Sequence, residues 1–89
     1  MNAKELAQKF PAKYRNEIQE MIENRIEINR LRELAGKSIR MTAGEYAEDV
    51  LIAEYGFDQE YTGMTAKAQM QSINETLEAS RRVLARTSK

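Results

Sequence analysis

The chain has 89 residues, 42% of them hydrophobic and 31% charged, with a formal net charge of zero. That suffices for one domain with one modest core, spanning residues 1–89, and excludes a disordered chain. There is no cysteine and no histidine, which excludes disulfides, thiolate nucleophiles, Ser–His and Cys–His pairs and most zinc or di-iron sites.

Asn2 has the side chain to cap a short helix over Ala3 to Phe10, with Leu6 and Phe10 stacked on one side at i, i+4. The residue before a proline is pushed out of the helical region, so Phe10 reads as a corner whose ring folds back onto the core. Pro11 suits the first turn of a second, long helix. Gly36 closes that helix after Ala35. At 1.5 Å per residue it is about 36 Å long. Its apolar side chains form a broad stripe, with Ile18, Ile22 and Ile26 on one edge and Tyr14, Met21 and Ile28 on the other. Leu31 and Ala35 lie beyond. Glu20, Glu23, Glu27 and Arg30 face the opposite way, toward solvent.

Arg25, Asn29 and Arg32 interrupt the stripe at i, i+4 and i+7. One reading has the arginines lay their stems on the core and carry the guanidinium to water, with Asn29 fixing the register of a partner helix. The other is a recessed anion or partner site, because a buried charge must be paired.

Lys37 to Met41 alternates polar and apolar residues, as a short strand or an extended connector does. Thr42 and Glu45 have capping-box spacing ahead of a medium helix from Ala43 to Tyr55. Tyr46, Ala47, Val50 and Ala53 would form its inner face. Glu45, Glu48 and Asp49 read as its solvated face rather than a metal site. Gly56 to Met64 reads as a loop. Tyr55, Phe57 and Tyr61 make its surroundings aromatic, either as a plug for the open end of the bundle or as an acidic contact surface for another protein. Thr65 caps a last helix running to Arg86. Ala66, Met70, Ile73, Leu77, Ser80 and Leu84 form a heptad seam along it, expected to lie antiparallel against the long helix. Its basic end, with Arg81, Arg82 and Arg86, complements the helix dipole or forms a patch for phosphate.

The fold expected is therefore all-α. It is a small helical bundle of two long antiparallel helices, a medium helix and a short N-terminal helix. The wide stripe and its Arg/Asn line argue for a homo-oligomer. Residues 36–64 carry two basic and six acidic side chains, and residues 65–89 carry five basic and two acidic. No apolar run reaches the ~20 residues of a membrane helix. The first residues lack the apolar segment of a signal peptide, so the expected location is cytoplasmic.

No glycine-rich phosphate loop, calcium loop or isolated carboxylate pair stands out. The chain reads as non-catalytic, without cofactor or metal. The leading expectation is a binding protein that docks onto another protein through Tyr55, Phe57 and Tyr61 or through Arg25, Asn29 and Arg32. Phage and mobile-element accessory proteins that inhibit host machinery are commonly this small and compact. The second expectation is an oligomer that sequesters a small anionic ligand such as a nucleotide. In it Arg25 and Arg32 hold phosphate and a tyrosine stacks on a base. The third rests on Ile39-Arg40-Met41, the capped helix, Gly56 and the second helix. Over residues 37–86 this order resembles a ribbon-helix-helix repressor, which implies a DNA-reading strand pair in a dimer. The segment's net acidity and its longer inter-helix connection place DNA last among the three.

Overall fold

The computed structural model describes residues 2–48 and 66–87, and every regular element within them is helical. Helix α1 covers Ala3–Ala7. The Asn2 Oδ1 accepts from the Glu5 N–H at 2.9 Å, as its capping position requires. The helix is shorter than the expected Ala3–Phe10. Its last N–H groups turn to carbonyls three residues back, at Gln8, Lys9 and Phe10, and the chain tightens toward the corner before Pro11. Phe10 is buried there.

Pro11 does not open the long helix. Its ψ of 141° is extended, and it precedes a 3-10 turn over Ala12–Tyr14. Helix α2 then runs over Arg15–Leu34. The corner is tied by Arg15, whose guanidinium donates to the carbonyls of Ala7 at 3.3 Å and Phe10 at 2.9 Å. The Ala7 carbonyl, which also accepts from the Phe10 N–H, and the Phe10 carbonyl at the corner are thereby bound to the start of α2.

The far end of α2 closes as its sequence implies. Gly36 adopts φ +75°. The Gly36 N–H donates to Glu33 O at 3.0 Å and the Lys37 N–H to Arg32 O at 2.8 Å, the paired bonds of a Schellman closure. After an irregular connector, α3 begins at Ala43–Glu45 behind a complete capping box. Glu45 N donates to Thr42 Oγ1 at 3.1 Å, and Thr42 N donates to Glu45 Oε1 at 3.2 Å. Helical winding continues through Glu48. The expected course to Tyr55, and the Gly56–Met64 loop, lie outside the described residues. Helix α4 covers Ala66–Thr87.

One core gathers these elements. Leu6, Phe10, Tyr14, Ile18, Met21 and Ile22 meet Tyr46, Ala47, Ile73 and Leu77. The stripe on α2 is narrower than its sequence implies, because Ile26 is 39% exposed. Nor is Glu20 left to solvent, since it pairs with Arg81 of α4. The buried stripe finds its neighbours within the chain, on α1, α3 and α4.

The expected antiparallel packing of the two long helices is not what the side chains show. Tyr14 bonds to Gln69, and Asn24 to Ser80. Leu31 and Arg32 share a recess with Arg86 and Thr87. Partner numbers rise together along both helices, so α2 and α4 run parallel. A short loop would force a hairpin, whereas residues 35–65 are long enough to return the chain to its starting end. The heptad seam itself is used: Ile73 and Leu77 are buried, and Ser80 Oγ accepts from Asn24 Nδ2 at 3.0 Å.

Candidate functional site

The line Arg25, Asn29 and Arg32 receives the chain's own connector. Asn29 Nδ2 donates to Met41 O at 2.9 Å, and Arg32 Nε donates to Ser38 O at 2.8 Å. The Arg25 guanidinium carbon lies 5.0 Å from the centre of the Tyr46 ring. Two carbonyls of the 38–41 segment are thus bound to α2, and among the described residues there is no strand. The segment that carries the ribbon-helix-helix resemblance is a strap across the end of this chain's own long helix.

The strap does not satisfy the line. Arg25 Nε is buried with no hydrogen-bond acceptor, and Asn29 Oδ1 is buried with no donor. Buried polar atoms of this kind are rare enough to mark a site.

The arginines of the chain sort into distinct groups. Arg30 pairs with Glu27, Arg81 with Glu20 and Arg82 with Glu78. Bonds from Arg81 hold the Glu20 carboxyl below its usual pKa, and Arg30 does the same to Glu27. Arg15 is spent on the carbonyls of the first corner. The remaining four are Arg25, Arg32, Arg40 and Arg86, and all four line one pocket of about 450 Å³. No carboxylate lies among its described lining residues, and no described carboxylate forms an ion pair with any of the four. Arg25 and Arg32 come from α2, Arg40 from the strap and Arg86 from α4. Ile28, Met41 and Val83 give the pocket an apolar floor.

The helix dipole accounts for only part of this. Arg32 and Arg86 lie in the last turns of parallel helices, where cations complement the exposed carbonyls. Arg25 sits in the middle of α2 and Arg40 in no helix at all. Four guanidinium groups converging with no counter-charge among the described residues repel one another, and an anion between them relieves that repulsion.

A second compartment adjoins the first. Met21, Ile28, Tyr46, Ala79 and Val83 surround a mostly apolar chamber of about 230 Å³, and Arg25 borders both spaces.

Sequence reasoning singled out Arg25 and Arg32 and missed Arg40 and Arg86 as their companions. Arg86 was legible as part of a basic helix end or phosphate patch with Arg81 and Arg82, and Arg40 as part of a strand candidate for reading DNA. Both depend on the parallel course of α4 and the path of the strap. Tyr55, Phe57 and Tyr61 lie outside the described residues. Among those residues, no three carboxylates lie close enough to hold a metal ion, and no helix is long and apolar enough to cross a membrane.

No family model matches the chain, and no curated protein or solved structure matches it either.

Proposed function

We propose that this chain is a non-catalytic binding protein that captures an anionic ligand in the cleft between the C-terminal halves of α2 and α4. The convergence of Arg25, Arg32, Arg40 and Arg86 on one pocket with no carboxylate among its described lining residues carries this reading. Arginine suits the task. Its planar fork binds phosphate or carboxylate oxygens through two parallel bonds and stays charged at any physiological pH. The recess favours a small ligand over an extended polyanion such as DNA, because the four cations line one pocket rather than a long stripe. The orphaned Arg25 Nε is the sign that the site is built for something other than the chain's own groups.

The test is ligand-dependent stability at low salt, with inorganic pyrophosphate as the probe. Ligand at a hundredfold excess over Kd adds about 2.7 kcal/mol of stability. For a domain of this size that raises Tm by roughly 10–20 °C. Arg86→Ala removes an exposed side chain outside the core, so the variant folds and should lose most of the shift. The reading fails if pyrophosphate leaves Tm unchanged at low ionic strength, or if Arg86→Ala retains the full shift.

A further inference from the structure

The cleft reading leaves the apolar chamber unexplained. It is not a separate hollow. Ile28 and Val83 line it and the basic pocket alike, and the Arg25 side chain borders both. Arg25 lies against the ring of Tyr46, which forms part of the chamber wall, and its Nε has no acceptor. The chamber is therefore a mostly apolar space, with Thr76 and Ser80 also in its wall, whose one described charged border opens onto three further arginines.

From this geometry, and resting on the anion-binding reading, we propose that the two compartments form one site for a small organic phosphate ester. The phosphoryl group sits among Arg25, Arg32, Arg40 and Arg86, and an apolar, ring-sized body enters the chamber beside Tyr46. Size and charge both point to that class. An apolar cavity of about 150 Å³ is enough to take benzene, and this chamber measures about 230 Å³. Four guanidinium groups exceed what one carboxylate can neutralise. A phosphate monoester brings close to two negative charges and three acceptor oxygens to a cluster of forked donors. Met21, Ile28, Ala79 and Val83 offer the ring apolar contact, which rewards a body that inorganic phosphate lacks.

The experiment compares three probes by calorimetry on the intact protein: inorganic phosphate, phenyl phosphate and benzoate. Phenyl phosphate is expected to bind at least about tenfold more tightly than inorganic phosphate, a difference of about 1.4 kcal/mol. Benzoate, with the ring but one charge, is expected to bind more weakly than phenyl phosphate. Ala79→Leu fills the chamber and leaves all four arginines in the sequence. It should erase the advantage of phenyl phosphate while leaving inorganic phosphate unchanged. The wild-type comparison stands by itself if that variant packs poorly.

Equal affinity for phosphate and phenyl phosphate overturns the two-compartment proposal but leaves the anion cleft standing. Benzoate binding as tightly as phenyl phosphate overturns the assignment of a phosphoryl group. Failure of all three probes, together with pyrophosphate, removes the cleft reading itself.

Discussion

The Tyr14 hydroxyl donates a 2.6 Å hydrogen bond to Gln69 Oε1 in the buried core, joining the start of α2 to the start of α4. This bond fixes the register of two helices that no short loop holds together. The Asn24–Ser80 bond adds a second polar tie further along the same pair of helices.

Tyr14→Phe leaves the Gln69 amide oxygen without this donor. A buried acceptor without its partner costs about 1–3 kcal/mol. The urea midpoint should fall accordingly, with the slope of the transition unchanged. Replacing both partners, with Tyr14→Phe and Gln69→Leu, should recover much of the loss, because no orphan then remains. A double variant no better than the single one would mean that the loss lies elsewhere, in packing around the ring.

Gly36 tests the closure of α2. A Cβ there meets no atom within 4 Å, so Gly36→Ala carries only the backbone penalty of a left-handed residue. That penalty is about 1–2 kcal/mol. In a domain of this size each kcal/mol lowers Tm by roughly 4–8 °C. Gly36→Asn should fall between wild type and alanine, since asparagine tolerates this conformation better. An alanine variant as stable as wild type would show that φ at position 36 relaxes.

Asn29 separates local from global effects. Its bond to the Met41 carbonyl ties down the strap, while its own Oδ1 is buried without a donor. Asn29→Ala removes a bond worth about 1 kcal/mol and an unsatisfied acceptor together. Global stability should therefore change less than in Tyr14→Phe. Amide exchange in residues 38–46 should quicken while exchange at the centre of α2 stays slow. Uniform acceleration across both would mean that the strap is integral to the core rather than laid over it.

The Glu20–Arg81 pair sets an acid dependence. Hydrogen bonds from Arg81 hold the Glu20 pKa below its ordinary value of 4.5. A carboxylate with a depressed folded-state pKa stabilises the fold above the unfolded value, and that contribution fades as pH falls through the folded value. Glu20→Gln should therefore lower Tm slightly at pH 6 and converge on wild type as pH falls through the lowered Glu20 value. The effect is small, because the pair is partly exposed and screened by salt. A gap that widened on acidification would reverse the assigned sign.

Local signals in the sequence translated well into structure. The Asn2 cap, the Thr42–Glu45 box and the Gly36 closure each depend on residues within a few positions, and each forms as its spacing implies. Heptad positions on α4 likewise find the core through Ile73 and Leu77. Pro11 misled because a proline fits a helix start and an extended corner equally well, and ψ decides between them. Helix direction was not legible. A seam of apolar residues reads the same toward a parallel or an antiparallel partner, and only cross-helix pairs such as Tyr14–Gln69 distinguish the two. The basic cleft was half legible for the same reason: Arg25 and Arg32 share a helix face, whereas Arg40 and Arg86 join them through the path of the chain.

The parallel course of the long helices also shapes how the chain reaches its native state. An antiparallel pair joined by a tight turn nucleates at the turn and zips outward. Here the helices can pair only after residues 35–65 have closed on themselves. Each doubling of loop length costs about 0.6 kcal/mol in closure entropy, so lengthening a four-residue turn to this span adds about 2 kcal/mol to the search. The native contacts between α2 and α4 link residues more than 50 positions apart. Such non-local pairing slows collapse to the native topology relative to other helical domains of this size. Until that closure, α2 and α4 each present an unpaired apolar stripe, and the nascent chain is then most exposed to misassociation.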